Sequence, residues 1–194
     1  MGGAIGSCVI SRISASVVAA GLFAFPAFSQ DPKYVNKMAP YVASPQHVVD
    51  LMLEMAKIKP GETVYDLGCG DGRILIPVVE RYKARAIGVE ISSKLVEQAS
   101  ARIKKAGIAD RAQVVQGDVL GTDLSGADVA IIYLSTELNA SLRPHLEKYL
   151  KTGARVVSHD YPVPGWRANR IERLDGKQMH IVYLYEMPPT RQSQ

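Results

Sequence analysis

The stretch from residue 64 to residue 76 constrains the fold more than any other part of the chain. Its first four residues, Val64-Tyr65-Asp66-Leu67, have strand character, and glycines then stand at positions 68, 70 and 72. An apolar helical face begins at Ile74-Leu75-Ile76. A strand, a glycine-rich loop and a helix in this order are typical of a ligand-binding crossover. Because glycine permits positive φ and a close approach to the backbone, and helix N-termini attract anions, we expect a ligand at this loop.

The spacing of the glycines distinguishes between ligands. A dinucleotide fingerprint, G-x-G-x-x-G, would need a glycine where Arg73 stands. Asp66 precedes the loop instead, and an acid there suits a ligand that carries a cationic amine. The amino-acid moiety of S-adenosylmethionine fits, and the stretch resembles the first motif of Rossmann-like methyltransferases; the alternative is a tight turn without a ligand. The predicted cofactor-binding residues of this loop are Asp66, Gly68, Cys69, Gly70 and Gly72.

The first 29 residues have the composition of a targeting segment. They contain no acid and a single base, Arg12, and the run from 13 to 25 is almost wholly apolar. Such a run is shorter than the ~20 residues that a spanning helix needs. Ala27 and Ser29 are small residues placed for cleavage before Gln30. We predict a signal peptide and an exported or periplasmic domain; the alternative is an uncleaved membrane anchor with the domain facing the cytosol, where S-adenosylmethionine is made.

The remaining chain, about 165 residues, is long enough for one domain with a substantial core. Without Arg12, 22 basic and 19 acidic residues remain, and this small excess demands neither nucleic acid nor a membrane surface. Removal of Cys8 with the segment would leave Cys69 as the only cysteine, so no intramolecular disulfide is expected. We divide the rest into a lead-in with an N-terminal helix (30–60), the main domain (61–187) and a disordered tail (188–194).

Strand-like and helix-like segments alternate through the main domain. This alternation predicts an α/β, Rossmann-like fold: a mostly parallel seven-stranded sheet with helices on both faces and a C-terminal antiparallel hairpin. Ser44-Pro45 should begin the first helix, with Ser44 as its cap, and the hairpin should join 166–174 to 177–186 around Asp175-Gly176. The first five predicted strands are Thr63–Asp66, Ala86–Val89, Gln113–Gln116, Asp128–Tyr133 and Arg155–Ser158.

Two further acids stand where strands end. Glu90 lies 20 residues beyond Gly70, at the end of the second predicted strand, where a carboxylate can accept both ribose hydroxyls of a nucleoside. Asp118 follows the third strand, where an acid can accept from the exocyclic amine of adenine. Each also has a simpler interpretation, as a surface acid for Glu90 and as an ordinary Gly-Asp turn for Asp118.

Five stretches together resemble one methyltransferase family. They are Tyr41-Val42-Ala43-Ser44-Pro45, Asp66–Arg73, Arg155–Asp160, Gly165-Trp166 and Tyr183-Leu184-Tyr185. The set is similar to the archaeal broad-specificity protein-lysine methyltransferases and to the mitochondrial enzymes that methylate the ATP synthase c-subunit. Ala43 and Ser44 depart from the family's proline and threonine. The resemblance, which covers residues 39–187, implies methyl transfer to lysine ε-amines of a protein substrate, and implies that Tyr41 and its neighbours cover the cofactor as a lid.

The chemistry asks mainly for positioning, because a sulfonium is already an activated methyl donor. A lysine must arrive neutral, although its reference pKa is about 10.4, and hydroxyl or carbonyl acceptors can then orient the amine. Tyr133, His159 and Asp160 follow the fourth and fifth strands, so we predict them as the catalytic residues. The alternatives are core packing for Tyr133 and loop hinges for the other two.

Other chemistries fit the sequence less well. Ser158, His159 and Asp160 are consecutive, so they cannot converge as a catalytic triad. No Cys/His pair has metal-ligand spacing, so we predict no metal. Trp166 beside Arg167 could stack an RNA base, but such a tryptophan more often closes a pocket or hairpin, and nucleic acid is not favoured. The remaining alternatives are a small-molecule N- or O-methyltransferase and a non-catalytic protein that binds S-adenosylmethionine.

Overall fold

The computed structural model describes residues 1–2, 41–176 and 178–191. The predicted signal peptide or anchor lies almost entirely outside these residues. Among the helices described, none combines the length and the apolarity that crossing a membrane requires.

Helices and strands alternate as predicted through the described part of the chain. The helices are α1 (Gln46–Ala56), α2 (Leu75–Tyr82), α3 (Ser93–Ala106) and α4 (Thr136–Tyr149), and a short 3₁₀ turn covers Val119–Gly121. The strands are β1 (Thr63–Leu67), β2 (Arg85–Glu90), β3 (Ala112–Gln116), β4 (Val129–Ile132), β5 (Arg155–His159), β6 (Trp166–Arg167), β7 (Arg170–Leu174), β8 (His180–Glu186) and β9 (Thr190–Arg191).

Seven strands form the main sheet in the order β3-β2-β1-β4-β5-β8-β7. Strands β1 to β5 are parallel, and β8 pairs antiparallel with both β5 and β7. The predicted mostly parallel seven-stranded sheet with a closing antiparallel hairpin is therefore confirmed. The strand order reverses at β1, which pairs with β2 on one side and β4 on the other, and ligands of such sheets bind at the carboxyl ends beside this point.

Apolar side chains cover both faces of the sheet. On one face, α1 and α2 bury Met52, Leu53 and Val78 against strand residues such as Ile131. On the other face, α4 buries Leu142 beside a second apolar set. All four residues of β4 are buried, as expected for a central parallel strand. Full burial of each large side chain contributes about 1.5–3 kcal/mol, so these two layers hold the strand ends in fixed positions.

The start of α1 differs from the prediction. Pro45 occupies the N-cap position with extended backbone angles, and no side chain in the described residues caps the helix. The hydroxyl of Ser44 instead lies 2.9 Å from Nδ1 of His159. The predicted serine cap was therefore wrong, because the hydroxyl of Ser44 forms a hydrogen bond with a buried imidazole instead. The helix ends at Ala56, and Lys57 follows it in a left-handed conformation.

The C-terminal segment is more divided than predicted. The expected strand over 166–174 splits in two, because its first part (β6) pairs with β9 whereas its second part (β7) pairs with β8. Strand β6 then pairs with β9, which lies within the segment that we predicted to be a disordered tail. Residues 192–194 of that tail lie outside the described part of the chain. Helix α4 continues through Pro144.

Candidate active site

A large cleft opens where the carboxyl ends of β1 to β4 meet. It encloses about 620 Å³, which is within the range of small-molecule sites. Seven of the predicted site residues line it: Tyr41, Asp66, Gly68, Cys69, Glu90, Asp118 and Tyr133. Gly70 and Gly72 belong to the same loop without lining the cleft, and His159 and Asp160 lie behind Tyr133.

At two positions in the loop, both the backbone conformation and the close packing favour glycine. Gly70 has φ of +54°, and a Cβ there would lie 2.3 Å from Cε2 of Tyr41. Gly72 has φ of +75°, and its Cβ would lie 2.8 Å from the Cβ of Ala99 in α3. Gly70 thus lets the Tyr41 ring lie directly on the loop, and Gly72 lets the loop pack against α3.

Asp66 lies at the floor of the cleft and is only 3% exposed. Within the described residues, no hydrogen-bond donor reaches its Oδ2 atom. Burial, and then the charges of Glu90 and Asp71, raise the pKa of this carboxyl to about 8. An unpartnered buried carboxylate is unfavourable, and a cationic amine bound in the cleft would relieve the penalty. The site is therefore suited to the ammonium group of an amino-acid moiety.

Glu90 and Asp118 are held by backbone N–H groups. Oε2 of Glu90 accepts from the N–H of Gly70 at 3.0 Å, and Oε1 accepts from the N–H of Ser92 at 2.8 Å. Oδ1 of Asp118 accepts from the N–H of Leu120 at 2.9 Å at the start of the 3₁₀ turn. Each carboxylate oxygen has a further lone pair, so both residues can also accept from a bound nucleoside.

Cys69 is a structural residue of the cleft wall. Its side chain is buried, and a Cβ on Gly88 of β2 would lie 2.5 Å from its Sγ atom. Burial, with the charges of Asp66 and Glu90, strongly raises the pKa of the thiol, so the sulfur stays protonated. Because the thiolate is the nucleophilic form, Cys69 fills space beside the loop and does not react.

An ion-pair network that the sequence did not suggest ties the lead-in to the loop. Arg73 makes two hydrogen bonds to the carboxylate of Asp71, at 2.9 and 3.0 Å, and donates to the carbonyl of Ser44 at 3.0 Å. Arg102 of α3 also pairs with Asp71 at 2.9 Å. Burial alone would raise the pKa of Asp71, but Arg73 and Arg102 outweigh it and hold that pKa below its usual value. Arg73 thereby fixes the segment that carries Tyr41.

The three predicted catalytic residues converge beside the cleft. The Tyr133 and His159 rings pack against each other with centroids 3.9 Å apart and their planes tilted by 33°. The Tyr133 hydroxyl lies 3.4 Å from Oδ2 of Asp160, which is 3.2 Å from Nε2 of His159. Burial and the charge of Asp160 raise the pKa of Tyr133, so the phenol keeps its proton and can donate it. Burial lowers the pKa of His159 to about 4, although Asp160 opposes this shift, so the imidazole is neutral.

His180 completes this group and was missed by sequence reasoning. Its Nδ1 atom lies 3.1 Å from Oδ2 of Asp160 and 3.0 Å from Nε2 of His159. His47 at the start of α1 contributes a ring 6.2 Å from that of His180. No local motif marks His180, because its position depends on how β8 pairs with β5.

Trp166 is 1% exposed, and its Nε1 donates to Oε1 of Glu147 at 2.7 Å. Its ring also packs edge-on against Tyr185, with centroids 5.4 Å apart. A side chain buried in this way cannot stack on an RNA base. The residue closes the C-terminal segment over α4, as the simpler interpretation expected.

The fold, the glycine loop and the unpartnered Asp66 together define a Rossmann-like, S-adenosylmethionine-dependent methyltransferase. Residues 66–170 match the ANTKMT methyltransferase domain, and the chain belongs to this family. Over 148 residues, it is 45% identical to a protein-lysine N-methyltransferase of Saccharolobus islandicus, with 75% of this chain and 92% of that protein aligned. It is also 27% identical to the mouse lysine N-methyltransferase of the ATP synthase c-subunit, covering 78% of this chain and 60% of that protein.

A solved structure supports the same assignment. The crystal structure of an RNA methyltransferase from Salinibacter ruber, in complex with S-adenosyl-L-homocysteine, is 40% identical and superposes with a TM-score of 0.71. The match covers 76% of this chain and 94% of that one. The predicted fold, family and cofactor are thus confirmed, while the names of these relatives differ in the class of acceptor.

Proposed function

We propose that this methyltransferase transfers methyl groups to lysine ε-amines of proteins. The observation that carries the proposal is the contact between the Tyr133 hydroxyl, on the wall of the cleft, and Oδ2 of Asp160 behind it. A phenol whose hydrogen points at a carboxylate keeps its oxygen lone pairs free for the N–H of an incoming amine. The pair is therefore suited to orient an amine and to accept its proton.

The bound cofactor supplies an activated methyl group. Asp66 would hold its ammonium group, Glu90 the sugar hydroxyls, and Asp118 the adenine amine. The lysine loses solvent as it enters the cleft, which lowers its pKa from about 10.4 and favours the neutral amine. Tyr133 orients this amine, and the neutral His159 ring packs under the phenol and fixes its direction.

Protein is favoured over nucleic acid as the acceptor by two observations, one against RNA and one against DNA. Trp166, the aromatic residue that might have stacked on a base, is buried in the core. After β4 stands Tyr133-Leu134-Ser135, where amine-directed DNA methyltransferases typically have Asn or Asp followed by Pro-Pro and an aromatic residue. The protein-lysine acceptors named for the Saccharolobus and mouse relatives point the same way.

The test is transfer of labelled methyl from S-adenosylmethionine to a cell lysate by the purified chain. We expect label that protease removes and nuclease does not, and methyl-lysine in the digested protein. Tyr133→Phe should lower the rate by about 10²-fold, the usual scale for one positioned proton-transfer group. Tyr82→Phe, at the C-terminal end of α2 and outside the cleft lining, is the matched control and should behave as the original chain.

Three results would replace the proposal with an alternative. Label confined to RNA would favour an RNA methyltransferase, and label only in small metabolites would favour a small-molecule N- or O-methyltransferase. Cofactor binding without transfer to any acceptor, even at high enzyme concentration, would favour a non-catalytic protein.

We also propose that residues 1–29 direct the domain for export, on the evidence of their apolar run and the small residues before Gln30. Mass spectrometry of the native N-terminus tests this. A chain that begins at Gln30 supports cleavage, whereas an intact Met1 or Gly2 favours a tether that keeps the domain in the cytosol with its cofactor.

A further inference from the structure

Three side-chain atoms meet behind Tyr133. His159 Nε2, His180 Nδ1 and Asp160 Oδ2 lie 3.0, 3.1 and 3.2 Å from one another. Two imidazoles and a carboxylate in this arrangement could share either a metal ion or protons. Ligands bound to a tetrahedral zinc at 2.0–2.1 Å are about 3.3–3.4 Å apart, which is longer than all three separations. The distances are those of hydrogen bonds, so the geometry favours shared protons.

The two histidines have different surroundings. The Nδ1 atom of His159 lies 2.9 Å from the buried hydroxyl of Ser44, and its side chain is fully buried, so this ring has no route to solvent. His180 is nearly buried, but its ring lies edge-on to that of His47, which is exposed at the start of α1. Of the two rings, His180 is therefore the one that connects Asp160 to the surface.

Asp160 is fixed between the cleft and His180. Its Oδ1 accepts from the N–H of Ile181 at 2.9 Å, and its Oδ2 faces both Tyr133 and His180. Its backbone has φ of +58°, a strained conformation for a residue other than glycine that such contacts must maintain. The same oxygen can thus accept a proton from the Tyr133 side and share it with His180.

We infer that His180 is a positioning residue that carries the acceptor's proton from Asp160 to the surface beside His47. This inference rests on the proposed transfer to an amine. The lysine ammonium gives a proton to the Tyr133 oxygen while the phenol gives its own proton to Asp160. His180 then takes the proton of Asp160 on Nδ1 and releases a proton from its other ring nitrogen. A nitrogen–carbon bond then forms as the carbon–sulfur bond breaks, with its electron pair left on sulfur, so one proton leaves per methyl.

Other titratable groups surround His180. They are His159 and Asp160 at the end of β5, His47 on α1, and Tyr133 through Asp160. A proton relay predicts that the loss of rate caused by replacing His180 changes with pH. A purely structural role for His180 predicts the same loss at every pH.

The test compares His180→Asn with the original chain in single-turnover methyl transfer to a protein acceptor, from about pH 6 to the lysine reference value of about 10.4. Asparagine keeps a polar group near the Nδ1 position but cannot relay a proton. We expect a loss of about 10²-fold near neutrality that narrows as pH rises, because the acceptor then arrives neutral. Affinity for S-adenosylhomocysteine should be unchanged. His145→Asn, whose ring contacts the carbonyl of Thr122 away from this group, should keep the original pH profile.

Parallel pH profiles for His180→Asn and the original chain would refute the relay but would leave the proposed lysine methylation unaffected. Stoichiometric binding of zinc that His180→Asn abolishes would overturn it in favour of a metal site. If the original chain methylates no protein, the proposed function itself fails. If His180→Asn does not fold, the original chain provides the test. The relay predicts that its methyl transfer is slower in D₂O than in H₂O near neutrality but not at high pH. The absence of that difference would refute the relay.

Discussion

The backbone N–H of Gly70 donates to Oε2 of Glu90 at 3.0 Å, across the end of the β1–β2 pair. The other oxygen of the same carboxylate accepts from the N–H of Ser92, just before α3. One side chain thus joins the glycine loop, the second strand and the third helix. Because it is only 7% exposed, Glu90 serves as a structural support of the cleft as well as a predicted cofactor ligand.

Glu90→Ala should therefore reduce both stability and cofactor binding. Two backbone N–H groups lose a charged acceptor, which we expect to lower the free energy of unfolding by about 2–4 kcal/mol. Affinity for S-adenosylhomocysteine should fall by at least about tenfold, or ~1.4 kcal/mol. Urea denaturation and calorimetry measure the two effects. The matched control is Glu97→Ala, an exposed acid on α3, and an equal response of the two variants would contradict this role for Glu90.

The high pKa of Asp66 makes the stability of the cofactor-free protein depend on pH. That pKa is raised to about 8 in the folded chain, against about 3.9 in an unfolded one. Between these values the folded state holds a proton that the unfolded state has lost, so stability falls as pH rises. Asp66→Asn removes this titration, and its melting temperature should fall less than that of the original chain from about pH 4 to about pH 8.

Binding of the cofactor should reverse the protonation of Asp66. An ammonium group beside the carboxylate favours its ionised form, so binding near neutrality should release a proton. Calorimetry in buffers of different ionisation enthalpy measures this release. We expect Asp66→Asn to release no proton on binding. Its affinity for the cofactor should also fall by at least tenfold, roughly the 1.4 kcal/mol of one charged contact. Asp110→Asn, at an exposed site, should keep it, and an unchanged release in Asp66→Asn would exclude Asp66 as its source.

The residues that sequence reasoning found and those that it missed differ in how they are brought together. Asp66, the three glycines and Glu90 depend on the spacing within one strand–loop–helix–strand unit, which a sequence records directly. The contacts of Ser44 with His159 and of His180 with Asp160 join residues 115 and 20 positions apart. They depend on the docking of α1 and on the register of β8, which no local pattern specifies.

The same distinction explains the errors at the ends of elements. Ser44 has the local pattern of a helix cap, but its hydroxyl meets a buried imidazole that only the folded sheet supplies. Thr190–Arg191 has no strand pattern of its own and forms β9 because Trp166–Arg167 offers an unpaired edge nearby. In both cases a tertiary contact overrides a local preference.

Tyr41 and Gly70 should be energetically coupled. Gly70→Ala places a methyl group where the Tyr41 ring lies and adds about 1–2 kcal/mol for a left-handed alanine. Tyr41→Ala alone should weaken binding of S-adenosylhomocysteine by about tenfold, ~1.4 kcal/mol, because the ring lines the cleft. In the double variant the methyl no longer meets the ring, so the two losses should not add. Calorimetry on all four proteins measures the coupling, and strict additivity would show that the ring does not rest on the loop.

Ser44→Ala tests whether the lead-in is held by the imidazole group behind the cleft. The change leaves Nδ1 of the buried His159 without its partner, and we expect a loss of about 1–3 kcal/mol in the free energy of unfolding. Ser44→Thr is the matched control: it keeps the hydroxyl, so it should retain most of the stability. Because alanine keeps the carbonyl that accepts from Arg73, the segment that carries Tyr41 should stay in place and cofactor binding should be largely unchanged. Urea denaturation and calorimetry distinguish the outcomes, since equal losses in the alanine and threonine variants would mean that the hydroxyl of Ser44 does not hold His159.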